Sequence, residues 1–325
     1  KNTVKEIQEG LTKYFGLPAG YKVILGNGGA SFFWDMLGLG AVKESVHCYV
    51  CGEFSQKCYQ AMKNIPWIEA SKTEVPFGQG LDVYDQEEAD LICTVLNETS
   101  TGVQITSYPE RRKGRLLAVD ATSGAGQIPV DFSKIDFYYF SPQKVFASEG
   151  GLYIAILSPQ AIERVKEVKE LKRYIPVIMD FSLALENGEG NQTYTTPSLS
   201  GLFFLNEQIK ELNVLGEKKV AALAEDKAEL IYEWALSCGY AKPFIKEDKF
   251  RSRSVATIDI DDAYDATEIA KYLREQGVAV DIDSYRKLGP NQFRISMFHS
   301  IKKEDLDKLT QVIDFIVAQN KKAEK

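Results

Sequence analysis

The chain has 325 residues, 44% of them hydrophobic, with 39 basic against 46 acidic side chains and a formal net charge of -7. That length supports a large core and roughly two domains. Such an acidic balance excludes a general attraction to nucleic acid or to anionic membrane surfaces, so an anionic substrate needs a local basic cluster.

The sequence opens on Lys1 and Asn2 rather than Met and runs directly into a helical pattern, Val4, Ile7, Leu11 and Phe15. A few further residues are expected upstream. Short apolar runs then alternate with amphipathic stretches, the signature of an α/β protein. Strands are expected at 22–25, 46–50, 91–95, 116–120, 137–140 and 152–157, with helices at 31–39, 55–64 and 159–172. Runs such as LICTV, RLLAV and DFYYF are apolar on both faces, which fits a mainly parallel sheet of the seven-stranded type covered by helices on each side. Beyond Pro197 come two long helical stretches, 199–212 and 216–236. The remainder reads as strand, helix, strand, strand and helix at 254–260, 266–276, 278–282, 292–297 and 303–318. The expected organisation is a large domain over 1–222 and a smaller α+β domain over 223–325.

No apolar run reaches the roughly 18 residues of a membrane helix, and no signal peptide is visible, so a cytoplasmic protein without a membrane partner is expected. The five cysteines are odd in number and lie in apolar surroundings, reading as reduced thiols. Cys48 and Cys51 form a C-x-x-C, but no second pair follows and the chain has 2 histidines, so no metal is expected.

Four features carry chemistry. An apolar strand ends in Asp120, and another ends in Ser141-Pro142-Gln143-Lys144. In a parallel sheet both would stand on the carboxyl rim, where ligands bind. A lysine there can form an imine with an aldehyde cofactor while a carboxylate pairs with the cofactor's ring nitrogen; a strand-end salt bridge is the plain alternative. The turn GNGGAS, 26–31, lets backbone N–H groups and a helix start face a phosphate. It lacks the third glycine of a dinucleotide fingerprint and the Gly-Lys-Ser/Thr of a P-loop, and many strand-to-helix turns are equally glycine-rich. The polar cluster 97–102 follows a strand and by itself reads as a turn. Arg294, in an alternating strand after Tyr285-Arg286-Lys287, is either an edge residue or a bidentate carboxylate clamp.

Together GNGGA, GEFS, NETSTG, VDATS, YYFSPQK and SYRKLGPNQ resemble the phosphoserine aminotransferases, a class-V branch of the fold-type I enzymes that use pyridoxal 5'-phosphate. The resemblance runs in order from Lys1 to the final helix. It implies Lys144 as the lysine that carries the cofactor as a Schiff base and Asp120 as the partner of its ring nitrogen. It further implies Thr99 near the phenolic oxygen, Phe54 on the ring face in place of the tryptophan of other branches, and Gly29, Ala30, Ser31, Ser123 and Gln143 at the phosphate. Thr195 and Thr196 would reach the cofactor of a partner subunit, making a homodimer with sites at the interface. Arg294 would clamp the substrate carboxylate, and Arg286 with Lys287 would meet the substrate phosphate, joined by a basic pair expected upstream of Lys1. The implied reaction moves an amino group between glutamate and 3-phosphohydroxypyruvate, giving O-phosphoserine and 2-oxoglutarate. Alternatives are an alanine– or serine–glyoxylate aminotransferase of the same fold and a non-catalytic binding module for a phosphorylated ligand. A cysteine desulfurase would need a mobile nucleophilic cysteine, and Cys238 at a helix end suits that poorly.

Overall fold

A computed structural model describes residues 1–110, 112–285 and 291–323, with side chains to 319. Helix α1 (Asn2–Tyr14) buries Val4, Ile7, Leu11 and Tyr14, spaced to fall on one stripe. There follow β1 (Lys22–Asn27), α2 (Gly29–Ala41), β2 (Ser45–Val50), α3 (Glu53–Lys63), β3 (Glu69–Glu74) and β4 (Leu91–Val95). A small hairpin, β5 (Asn97–Glu98) with β6 (Val103–Gln104), precedes β7 (Leu116–Asp120), β8 (Phe137–Phe140) and β9 (Leu152–Leu157). Next are α4 (Pro159–Glu170), α5 (Phe181–Glu189), α6 (Leu199–Leu215) and α7 (Glu217–Ser237). The chain ends in β10 (Ala241–Pro243), β11 (Val255–Ile260), α8 (Ala266–Glu275), β12 (Gln292–Ser296) and α9 (Lys303–Ala323). Helix starts follow capping rules: Ser158 accepts from Ala161 N with Pro159 at the first position, and Asp265 accepts from Thr267 and Glu268.

Seven strands form one sheet in the order β1-β9-β8-β7-β4-β2-β3. All run the same way except β9, which is antiparallel to both β1 and β8. The mainly parallel sheet expected from the doubly apolar strands is therefore present. Six carboxyl ends and the amino end of β9 share one rim. One face packs on α1 and α6 through Ile7, Leu11, Leu205 and Ile209; the other packs on α2 to α5 through Phe33, Leu37, Met62, Val165 and Phe181.

The smaller C-terminal sheet, β10-β11-β12, is antiparallel and covered by α7, α8 and α9 through Ile231, Leu273 and Ile313. Helix α7 runs unbroken through 222 and 223, with Val220 in the large core and Ala228 in the small one.

Five elements escaped the sequence reading, among them the hairpin strands β5 and β6, and one expected strand is missing. β3 is a polar edge strand, EASKTE; α5 and the short β10 were not anticipated. Residues 278–282 are not a strand: Val278 and Val280 are exposed, and only an isolated bridge from Asp283 to Phe293 and a bond from Arg294 N to Ile282 O join that segment to β12. Cys48 lies in the core on the α2–α5 face and Cys51 in the core on the opposite face, so the C-x-x-C does not form a pair. Among the described residues, no helix is long and apolar enough to cross a membrane.

Candidate active site

The carboxyl rim encloses a cavity of about 340 Å³. Gly29, Ala30, Ser31, Phe54, Thr99, Asp120, Gln143 and Lys144, all singled out from the sequence, line it together with Trp34, Asn97, Thr122, Ser141 and Gly151. Parallel pairing of β4, β7 and β8 brings the loops after these strands side by side, which explains the convergence.

Asp120 ends β7 and is 6% exposed. One carboxylate oxygen accepts from Trp34 Nε1 at 2.9 Å; the other accepts from Thr122 N at 3.0 Å and Thr122 Oγ1 at 2.6 Å. Burial pushes its pKa up to about 6 against the downward pull of these bonds, with the Cys58 thiol adding a small upward push. Among the described residues no cation pairs with it. A buried carboxylate in that state suits a positively charged partner such as a protonated pyridine nitrogen.

Lys144 follows β8 in a tight turn, with Ala147 N bonded to Lys144 O at 3.1 Å and Ser148 N to Pro142 O at 3.2 Å. Ala147 takes φ 45°, a left-handed conformation that this turn requires of a non-glycine residue. Burial lowers the lysine's pKa, the Arg294 charge lowers it further, and Asp281 opposes them. Both larger effects favour the neutral, nucleophilic amine.

At the opposite wall, β1 passes into α2 through Gly28 and Gly29 at φ 132° and 71°. A Cβ on Gly28 would fall 2.4 Å from the Phe32 ring, so the turn needs glycine there. Gly28 N donates to Gly151 O at 2.8 Å, tying β1's end to the start of β9. The N-cap residue of α2, Gly28, has no side chain to cap it, so first-turn N–H groups other than Ala30's remain for an anion. Ala30 N, one of the expected phosphate donors, donates to Ser141 Oγ at 2.7 Å.

The NETSTG and GEFS segments lock together. Glu98 is completely buried and accepts from Phe54 N, Ser55 N, Ser55 Oγ, Ser100 N and Ser100 Oγ at 2.7 to 3.2 Å. It thereby caps α3 and fixes Phe54 at the cavity. Ser123 does not line the cavity: it receives bonds from Asn97 Nδ2 at 2.8 Å and Thr99 Oγ1 at 2.7 Å and supports that wall from behind. Among the described residues the buried Asn97 Oδ1 atom has no hydrogen-bond partner.

Thr195 and Thr196 lie beside the rim, where Asn27 Nδ2 donates to Thr195 Oγ1 at 3.0 Å and Thr196 O at 2.8 Å; they do not line the cavity. Arg294, on β12, lines a neighbouring cavity of about 860 Å³ with Arg274, Asp281, Asp283 and Tyr285. Arg286 and Lys287 lie outside the described residues.

A buried acid with no cation among the described residues, a lysine of lowered pKa and a glycine-led helix start around one cavity form a chemically consistent pyridoxal phosphate site. The family model for Aminotransferase class-V matches residues 59–309. Phosphoserine aminotransferase from Rhodococcus jostii (strain RHA1) is 43% identical over 322 residues, covering 98% of this chain and 86% of the relative. The chain belongs to the phosphoserine aminotransferase family.

Another family member, from Corynebacterium glutamicum (strain R), is 42% identical over 325 residues, covering 98% of this chain and 85% of its own length. The solved phosphoserine aminotransferase of Cytophaga hutchinsonii superposes with a TM-score of 0.88 at 27% identity, over 95% of this chain and 87% of that one. Within this family site, sequence reasoning missed Trp34, Thr122, Glu98 and Tyr285. Thr122 had a local signal, since a hydroxyl two residues after an aspartate commonly closes a turn on it. The other three act through contacts distant along the chain.

Proposed function

We propose that this protein transfers an amino group reversibly between glutamate and 3-phosphohydroxypyruvate, giving O-phosphoserine and 2-oxoglutarate, with pyridoxal 5'-phosphate as cofactor. The observation that carries the reading is the pairing of Lys144, its pKa lowered by burial, with the cation-free buried carboxylate of Asp120 in one cavity. When bound, pyridoxal phosphate supplies an aldehyde that condenses with amines and a ring that takes up electron density from the substrate.

Lys144 would hold the cofactor through Nζ, and when free of it the neutral Nζ would take the proton from the substrate Cα. In the return half-reaction the same nitrogen delivers a proton to the Cα of the new amino acid. Such a positioned base contributes roughly 10²–10⁴-fold in rate. Asp120, oriented by Trp34 and Thr122, keeps the ring nitrogen protonated. Phe54 covers one ring face, and Thr99 serves the phenolic oxygen. Gly29, Ser31, Gln143 and the first turn of α2 hold the phosphate, while Ser123 supports Thr99 at the phenolic oxygen. Arg294 grips the substrate α-carboxylate with its planar fork.

Thr195 and Thr196 complete the site of a partner subunit in a homodimer. The exposed Tyr174, Val177, Leu199, Phe203 and Phe204 supply an apolar surface that suits such a contact. Residues 1–222 form the large cofactor-binding domain and 223–325 the small C-terminal domain of a cytoplasmic enzyme.

The test is a spectroscopic half-reaction on protein loaded with pyridoxal phosphate. Glutamate should abolish the visible band of the lysine-bound cofactor, and 3-phosphohydroxypyruvate should restore it. Restoration by glyoxylate or pyruvate alone would instead assign the chain to a glyoxylate-type activity. Failure to develop a band with added cofactor would overturn the reading.

A further inference from the structure

Tyr285 stands between the two cavities. Its ring meets Phe54 edge-on with centroids 5.7 Å apart, and the Arg294 guanidinium carbon lies 5.5 Å from its centroid. Its hydroxyl is 3.4 Å from Lys57 Nζ. Lys57 lies one turn after Phe54 on α3, which also brings its ammonium 5.1 Å from the Phe54 centroid. Two cations therefore flank one tyrosine, Arg294 over its face and Lys57 at its hydroxyl.

Arg286 and Lys287, expected at the substrate phosphate, lie outside the described residues, and the described cations of the two cavities have their own tasks. Among the described residues lining the two cavities the cations are Lys144, Arg274 and Arg294. Lys144 serves the amine chemistry, and Arg274 is paired with Asp283. Lys57 is held by Glu53 at 3.5 Å in a one-turn ion pair, and its side chain is 40% exposed. Pairs of this kind are weak and exchange readily. An ammonium has three donors and recognises a point charge, whereas a guanidinium fork matches a flat carboxylate.

The inference rests on the substrate reading above. With the α-carboxylate on Arg294, both partners of that reaction carry a second anion at the far end: the γ-carboxylate of glutamate and the phosphate of 3-phosphohydroxypyruvate. The two occupy the site in turn, so one distal-anion position must serve both. We propose that Lys57 binds this distal anion, and that Tyr285 sets the distance between Lys57 and Arg294.

The experiment compares wild type, Lys57→Gln and Lys57→Arg holoenzymes on matched pairs with and without the distal charge. The pairs are glutamate against alanine in the amino-donor half-reaction and 3-phosphohydroxypyruvate against hydroxypyruvate in the acceptor half-reaction. Loss of one charge-assisted bond should lower the efficiency ratio in each pair about tenfold, through half-saturation rather than limiting rate. Lys57→Arg should recover most of it. An unchanged ratio, or equal losses on charged and uncharged partners, would overturn the assignment by reducing Lys57 to a support for Phe54. A wild type indifferent to the phosphate of the keto acid would instead defeat the substrate reading, while the glutamate–alanine pair would still decide Lys57.

Discussion

On the rim of the seven-stranded sheet, Asp120 is held by three hydrogen bonds of 3.0 Å or less from Trp34 and Thr122, and Glu98 by five of 2.7 to 3.2 Å. On the three-stranded sheet, Arg294 sits on the edge strand β12, partly buried, and rests on the ring of Tyr285. The first region fixes its groups with short bonds inside the protein; the second leaves its cation on an adaptable aromatic surface. The division follows the chemistry, because proton transfer tolerates little misplacement whereas recognition must accept two substrates of different shape.

Substitutions on the rigid side should do the most damage. Lys144→Ala should reduce turnover by at least about 10²-fold and remove the visible band of the purified, cofactor-loaded protein; retention of that band would show that another lysine carries the cofactor. Asp120→Asn should weaken cofactor retention on dialysis by roughly 10–100-fold and slow proton abstraction. The same substitution should act in the opposite sense on the cofactor-free protein. Burial raises the Asp120 pKa from 3.8 to about 6, so its contribution to stability is fully present below the unfolded value and is lost as pH rises through about 6. At pH 8 the cofactor-free Asp120→Asn protein should therefore be the more stable, by on the order of 3 kcal/mol, and the gap in melting temperature should close between about pH 6 and pH 4. A constant gap would show that the charge of Asp120 is not what destabilises the cofactor-free fold.

Glu98→Gln would sharpen the contrast, since it turns an NH₂ toward donors that now meet a carboxylate. A loss of about 1–3 kcal/mol, read as a lower melting temperature, should accompany it. On the adaptable side, Arg294→Lys keeps the charge but not the fork. Its KM for glutamate should rise about tenfold with kcat little changed, and an equal fall in kcat would place Arg294 in the rigid group after all.

Much of the rigid side was legible in the sequence. Strands such as LICTV and FYYF are apolar on both faces, and each runs into polar residues at the rim, so Asp120 and Lys144 stood out as neighbours on it. The edge strand β3 was not legible, because an edge position buries little and carries no apolar run. At 278–282 the alternation of Val278, Val280 and Ile282 imitated a strand, but only Ile282 is buried, and Arg274 takes the Val280 carbonyl. Trp34, Glu98 and Tyr285 were invisible for a different reason. Trp34 bonds Asp120 across 86 positions and Glu98 bonds Phe54 across 44, separations that no local period records.

The reversed strand β9 has a consequence for the order in which the molecule can be assembled. β1 lies at the edge of the large sheet, and β9 is its sheet partner. During synthesis β1 emerges early, yet its partner begins only at Leu152, a delay on the order of ten seconds at ordinary translation rates. Until then the glycine turn at Gly28 lacks the Gly151 carbonyl that fastens it, and the exposed strand is a hazard for misassembly. The part of the site encoded first is thus closed late, and nascent chains that stop before β9 should have no cofactor-competent turn.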